Sequence, residues 1–307
     1  MFQGAPLMRP GIYTASILAL ALIGGCTCAA AQTTPLPAPA ANPLSLSAAP
    51  APTLAGIAHV AMRVHDLDAS VAFYQKLGFV RSFALSRDGK VYEDFIKIND
   101  RQFIELYPVS EKTPQVGFLH LCYEGDDLNS VHDFYVSEGL HPISVRTAGA
   151  GNLLFTMPGP MTPTGAENLE YTQYMPGSLH SKDFGKDLGS ERIGKKLVRV
   201  TIATQDPDAA RAFYVNMLRF VPEAPGSNLL TLPGNDTESV EIVPAQPLGF
   251  RARIGFEADL PQAASALSAL GITFERSGDA SNPALQLNDP DGNEIVFYPP
   301  PPPSESR

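Results

Sequence analysis

The 307 residues are long enough for two domains of about 150 residues each, and 44% hydrophobic with 18% charged residues is a globular composition. Lys and Arg number 22 against 32 Asp and Glu, a net charge of −10 with no dense basic run. This excludes a phosphate-neutralising nucleic-acid face and does not suit an anionic membrane surface. Three cysteines are too few for a disulfide scaffold or a four-thiolate zinc site.

Residues 1–31 read as a signal peptide. A charged start at Arg9, a short apolar run from Ile12 to Gly25 and small residues after it describe an export signal rather than a membrane span. Two cleavage patterns coexist. Ala29-Ala30-Ala31 before Gln32 suits ordinary signal peptidase, the favoured reading, whereas Ile23-Gly24-Gly25-Cys26 resembles a lipoprotein box that would leave a lipid anchor on Cys26. Either way the expected protein is exported, periplasmic or secreted, and keeps only Cys122. Residues 32–54 form a linker rich in Pro and Ala, and residues 300–307 a Pro-rich tail.

Between them the body repeats. Val64 to Tyr74 and Thr204 to Tyr214 share Asp66/Asp206, Asp68/Asp208, Ala69/Ala209, Phe73/Phe213 and Tyr74/Tyr214 at one constant spacing. Each copy reads as a strand, an Asp-capped turn and a helix, with Ala69, Ala72, Phe73 and Leu77 on the buried stripe. Each half divides again. Strands are expected at 118–123 and 253–257, with helices at 128–138 and 260–270 ending at Gly139 and Gly271. Short alternating strands follow the four helices at 94–98 and 102–107, 153–157 and 169–174, 229–232 and 239–243, 284–287 and 294–298. Asp289-Pro290-Asp291-Gly292-Asn293 marks the last hairpin. The expected fold is α+β: four tandem βαβββ modules, two in residues 55–176 and two in 197–299, joined by a polar connector at 177–196.

This organisation resembles the vicinal oxygen chelate superfamily, which includes glyoxalase I, bleomycin-resistance proteins, methylmalonyl-CoA epimerase and extradiol dioxygenases. The stretch His59-Val60-Ala61-Met62-Arg63-Val64, running on through Asp66-Leu67 to Phe73-Tyr74 and Leu77-Gly78-Phe79, carries the likeness most specifically. The resemblance implies paired modules that form a cupped sheet around one divalent metal, with ligands on the first and last strands of each module. Those positions hold His59, Glu105, His120 and Glu170. Two imidazoles and two carboxylates suit Zn, Ni, Mn or Fe. Taken singly, each is an ordinary polar residue; together they fall on the strand register that faces the cup. In the second half the same alignment places Arg199, Glu241, Ala252 and Val296, so that half reads as a degenerate copy without a metal.

Other residues divide between chemistry and packing. Arg63 shares the sheet face of His59. The resemblance implies an anchor for an anionic substrate there, and a structural ion pair is the equal alternative. Cys122 should face the cup beside the substrate, although a small packing residue is the plainer reading. His65, His132, His141 and His180 read as surface residues. Tyr171 and Tyr174 stand near Glu170 and read as core. The segment Pro158 to Gly165 is expected to reshape the pocket mouth.

The leading expectation is a glyoxalase-type isomerase, epimerase or lyase acting on a small substrate with vicinal oxygens. Glu170 would be the general base and Glu105 its partner on the opposite face, both roles implied by the resemblance. An iron-dependent extradiol-type dioxygenase using His59, His120 and Glu170 is the second expectation, and a non-catalytic small-molecule binder the third. A fused four-module chain needs no second copy to build its site, so monomer and homodimer both remain open.

Overall fold

Four aspartates start the four long helices. Asp66, Asp127, Asp206 and Asp259 each accept a hydrogen bond from the backbone N–H three residues on, at 3.0, 3.2, 3.0 and 2.9 Å. Each satisfies a free helix donor and sets a negative charge at the positive end of the helix dipole. The strands fall around these helices in repeating order. The computed structural model describes residues 51–186, 188–189, 191–249 and 251–301. The expected signal segment, nearly all of the linker and the tail from residue 302 lie outside the described residues.

Module one is β1 (Leu54–Val64), α1 (Leu67–Lys76), β2 (Val80–Arg87), β3 (Lys90–Lys97) and β4 (Phe103–Pro108). Module two is β5 (Gly117–Gly125), α2 (Leu128–Ser137), β6 (Arg146–Thr147), β7 (Leu153–Thr162) and β8 (Gly165–Gln173). A short helix, α3 (Leu179–Asp183), lies in the connector. Module three is β9 (Lys196–Thr204), α4 (Pro207–Asn216), β10 (Val221–Pro222), β11 (Leu229–Leu232) and β12 (Asn235–Pro244), followed by α5 (Ala245–Leu248). Module four is β13 (Arg253–Glu257), α6 (Leu260–Ala269), β14 (Glu275–Gly278), β15 (Pro283–Asn288) and β16 (Glu294–Tyr298).

Two eight-stranded sheets result, in the orders β2-β3-β4-β1-β5-β8-β7-β6 and β10-β11-β12-β9-β13-β16-β15-β14. This is the α+β architecture of two paired-module domains that the repeat implied. In each sheet the first and last strands of both modules are the four central neighbours. Parallel β1–β4 and β5–β8 pairs flank an antiparallel β1–β5 seam. Strands β2, β6, β10 and β14 carry no periodic signal; β2, for example, is partly or fully exposed along its whole length. Cross-strand pairing rather than its own pattern makes it a strand.

The Pro-rich segment departs from expectation. Strand β7 runs on to Thr162 and pairs back on β8, with Met161 opposite Ala166 and Thr162 opposite Gly165. A register shift between Pro158 and Met161 absorbs Pro160, which has no N–H to give the ladder. The hairpin docks on the second domain: Gln205 donates its backbone N–H to the Met161 carbonyl at 2.9 Å and its side-chain amide to the Thr162 carbonyl at 3.2 Å. It therefore does not shape the mouth of the first-domain pocket.

The two sheets share one hydrophobic core, bridged by Phe79 against Phe256 at 5.2 Å and Tyr123 against Phe220 at 5.3 Å between ring centroids. Among the buried hydrogen bonds that cross the boundary, the two from the repeated tyrosines run in opposite directions. Tyr74 on α1 donates to Asp289 in the last hairpin at 3.2 Å, and Tyr214 on α4 donates to Glu167 on β8 at 2.8 Å. The repeated Phe-Tyr pair thus supplies a latch in each direction. Burial pushes Glu167 up to about 8, only partly offset by the Tyr214 hydrogen bond, and pushes Asp289 up as well. The folded state therefore keeps a proton on Glu167 that the unfolded chain releases near an ordinary carboxylate value, about 4.5. That contribution to stability is fully present below about 4.5 and is lost as pH rises through about 8. Glu167→Gln, which keeps a partner for Tyr214 without the ionisable proton, should flatten the pH dependence of stability across this window. Urea denaturation between about pH 5 and pH 9 measures it, and parallel profiles for the two proteins would refute the assignment.

Candidate metal centre

Sheet order and register bring the four expected ligands together. His59 on β1 faces the same side as Ala61, which pairs with Glu105 on β4 and with His120 on β5; Cys122, two residues past His120, pairs with Glu170 on β8. Four adjacent strands thus each contribute one donor to one concave face. His59 is 3% exposed, Glu105 4% and His120 9%, so none of these is a solvated surface residue.

The donors converge closely. His59 Nε2 lies 3.1 Å from His120 Nε2 and 3.3 Å from Glu170 Oε1, and His120 Nε2 lies 4.0 Å from the same oxygen. Glu105 stands on the other side, with Oε1 3.0 Å from His59 Nδ1 and Oε2 3.8 Å from His120 Nε2. Two donors held at about 2.1 Å from one tetrahedral cation would stand about 3.4 Å apart, so this spacing fits a single ion. Among the described residues two overlapping groups have mutually close donors: His59, Glu105 and His120, and His59, Cys122 and Glu170. His59 belongs to both.

For His120 and Glu170 the protonation states also fit. Burial, with His59 as a like-charged neighbour, lowers His120 to about 4, which leaves a neutral imidazole lone pair. Burial pushes Glu170 up, but the two imidazoles more than offset it and hold it at about 2. Burial, then the carboxylates of Glu93 and Glu170, pushes Glu105 up. Neutral imidazole and ionised carboxylate are the metal-binding forms. Three carboxylates crowded onto one buried face are what a cation would relieve.

The surrounding cavity, about 160 Å³, is lined by His59, Glu105 and Glu170 together with residues absent from the sequence reading. Glu93 and Tyr107 join the floor, and Tyr107 donates to Glu105 at 3.1 Å. Arg146, at the mouth with Ala148 to Ala150, is the only cation among the lining side chains besides the histidines. Arg63 shares the strand but not the cavity; its guanidinium reaches the Gln115 carbonyl at 3.4 Å. Cys122 lies beneath Glu170, fully buried, its thiol pushed up by burial, so it contacts the ligand set and not an open substrate space.

His180 overturns the surface reading. It is 2% exposed, stacks on Tyr174 at 4.6 Å and meets Phe103, Phe83 and Phe95 edge-on. Its Nδ1 lies 3.0 Å from Asn152 Oδ1, while Nε2 is buried without a partner. Burial, then the His59 charge, lowers it to about 3, so it is neutral. His180 sits on α3, five residues long, in a connector whose polar sequence gave no sign of burial; its one signal was a Ser178 N-cap. The expectation held for His65 and His141, which are exposed.

The second sheet lacks this constellation. Gly255 pairs with Arg199 and Val296 as Cys122 pairs with His59 and Glu170, so Arg199 occupies the His59 position and Val296 the Glu170 position. Thr201 pairs with both Glu241 and Arg253, as Ala61 pairs with Glu105 and His120. The residue at the His120 position is therefore Arg253, one place on from the Ala252 that sequence alignment suggested. Sequence spacing alone could not fix a one-residue register.

Residues 56–168 match the sequence model of the Glyoxalase/Bleomycin resistance protein/Dioxygenase superfamily. No curated protein sequence matches the chain. Among solved structures, the chain is similar to the Mn(II)-bound glyoxalase from Novosphingobium aromaticivorans, with 16% identity and a TM-score of 0.60 over 80% of this chain and 82% of that one. It is also similar to homoprotocatechuate 2,3-dioxygenase from Brevibacterium fuscum in complex with 3,4-dihydroxyphenylacetate, with 18% identity and a TM-score of 0.59 over 83% of each chain. The homoprotocatechuate 2,3-dioxygenase of Arthrobacter globiformis shares 18% identity and a TM-score of 0.59 over 86% of this chain and 87% of its own. At such identities these likenesses establish the fold, and the family match places residues 56–168, most of the first domain, in the Glyoxalase/Bleomycin resistance protein/Dioxygenase superfamily.

Proposed function

We propose that this chain is a metal-dependent enzyme of the glyoxalase type, an isomerase, epimerase or lyase that moves a proton on a small substrate with adjacent oxygens. One observation carries the reading: Glu105 and Glu170 bracket the same pair of imidazoles from opposite sides. His59, Glu105, His120 and Glu170 would hold one divalent ion, which when bound polarises the substrate oxygens. Glu170, in the pocket lining, accepts the proton from the carbon beside the carbonyl, and Glu105 serves the opposite face. Leu85, Phe95 and Leu154 exclude water from that exchange, and Arg146 at the mouth favours a substrate with an anionic group. The signal-like segment supports an exported protein.

A second reading rests on a separate feature. His59 Nε2, His120 Nε2 and Glu170 Oε1 converge by themselves, while Glu105 meets the far nitrogen of His59. That is a two-histidine, one-carboxylate set oriented by a fourth residue, as in iron-dependent dioxygenases.

Elemental mass spectrometry of protein purified from its export compartment separates the two. About one equivalent of zinc, nickel or manganese supports the proton-transfer enzyme, and iron supports the dioxygenase. Glu105→Gln should release the metal in the first case and retain it in the second. Well-folded protein that takes up no metal would overturn both readings and leave a small-molecule binder.

A further inference from the structure

One side chain is common to the metal cup and a second cavity. His180 lines both the cup, about 160 Å³, and an outer cavity of about 350 Å³ on the connector side. The outer cavity is lined by Tyr174, Pro176 and Phe184 together with Asp100, Arg101 and Ser181. Phe184 is 59% exposed, so much of its ring is free to cover an apolar chain.

The ring between the two cavities is fixed in place. Tyr174 stacks on its face, and Phe83, Phe95 and Phe103 surround it. A relay of hydrogen bonds sets its orientation. The Thr172 hydroxyl donates to the Leu153 carbonyl at 2.9 Å, which leaves its oxygen to accept from the Asn152 amide nitrogen at 3.3 Å. Asn152 therefore turns its carbonyl oxygen to His180, whose Nδ1–H donates to it at 3.0 Å. Nε2 stays enclosed without a partner, a cost that a phenylalanine in the same aromatic box would not carry. Packing alone does not call for an imidazole; holding Asn152, itself in the cup lining, does. The helix that carries the ring is tied down on both sides. Leu179 donates its backbone N–H to the Ala150 carbonyl at the cup mouth at 2.8 Å, and Lys97 binds Asp183.

We propose that His180 is the specificity-determining back wall of the metal cup, closing it on the connector side to any substrate with an arm of more than a few atoms there. The inference rests on the reading that a substrate with adjacent oxygens chelates a metal in this cup. Packed interiors relax only partly around a deleted side chain, so replacing the ring by a methyl group joins the two cavities. An apolar chain that passes through the gap is then buried against Tyr174, Pro176 and Phe184, and each buried methylene tightens binding.

Calorimetric titration of the zinc-loaded full chain with acetohydroxamate and hexanohydroxamate tests the wall. Both probes present two adjacent oxygens to the metal and differ only in chain length. The preference for the longer probe should rise about tenfold or more in His180→Ala relative to the wild type, the worth of about two buried methylenes. His180→Phe, which keeps the wall and loses only the Asn152 hydrogen bond, should retain the wild-type preference. Thermal melting checks that each variant is folded. His180→Val, which keeps more of the packing, takes the place of the alanine variant if that one is not, with a rise in the same direction. An unchanged preference in the folded alanine or valine variant, or an equal rise in His180→Phe, would overturn the proposal while leaving the chelating cup intact. Wild-type protein that takes up no zinc, or takes it up and binds neither probe, would overturn the chelating reading and this inference with it.

Discussion

His59→Ala is expected to weaken divalent-metal binding by more than about a hundredfold, because changing even a residue that only orients a ligand costs about 10- to 100-fold. His59 has a stronger claim than any other member of the cup, since it belongs to both close donor groups and lies between the two carboxylates. Removing it leaves His120 as the sole nitrogen donor between Glu105 and Glu170. Chelator competition with zinc or manganese gives the affinity. Thermal melting gives a second readout, because a ligand at a thousand times its dissociation constant stabilises a fold by about 4 kcal/mol. Wild-type protein should therefore melt higher with metal and the variant should not. Equal affinity in both proteins would show that the ion, if bound, sits elsewhere.

Lys97→Ala should destabilise the chain by about 3–5 kcal/mol, the range for removing one partner from a buried ionic cluster. Lys97 is 1% exposed. Its ammonium meets Asp100 and Asp183 at 2.8 Å and donates to the Asp183 and Lys186 carbonyls at 2.6 Å. One side chain on β3 thereby pins the whole turn that follows α3, and with it His180 against the aromatic wall of the cup. Without the ammonium, two carboxylates and two carbonyls lose their cation together. Urea denaturation measures the loss, and trypsin should then cut at Lys182 or Lys186 before the wild type is cut. A loss under about 1 kcal/mol, the worth of a surface pair, would mean that water replaces the lysine without penalty.

Both expectations depend on how the chain folds back on itself, and they differ in how much of that was legible beforehand. The aspartate caps, the Phe-Tyr repeat and the alternating central strands follow from local rules, and they located the four modules and the four expected ligands. The cup histidines and glutamates were legible because they sit on the central strands, where alternation fixes which face a side chain takes. Edge strands such as β2 were not, since half-exposed residues have no buried face to impose a pattern. His180, Glu93 and Arg146 were missed for a related reason: each reaches the cavity from a strand outside the central four or from the connector, where spacing in sequence says little about direction.

The sequence by itself determined the modules, the aspartate caps of α1 and α4 and the positions of His59, Glu105, His120 and Glu170 along their strands. Tertiary structure alone decided that the Pro-rich hairpin joins the domain boundary, that Arg253 rather than Ala252 takes the position equivalent to His120, and that the polar connector is buried on Lys97. Alternation and capping are set within a few residues of chain and can be read there. Register across strands, the pairing of a buried lysine and the docking of a hairpin are contacts between residues far apart in sequence, so only the folded geometry selects them.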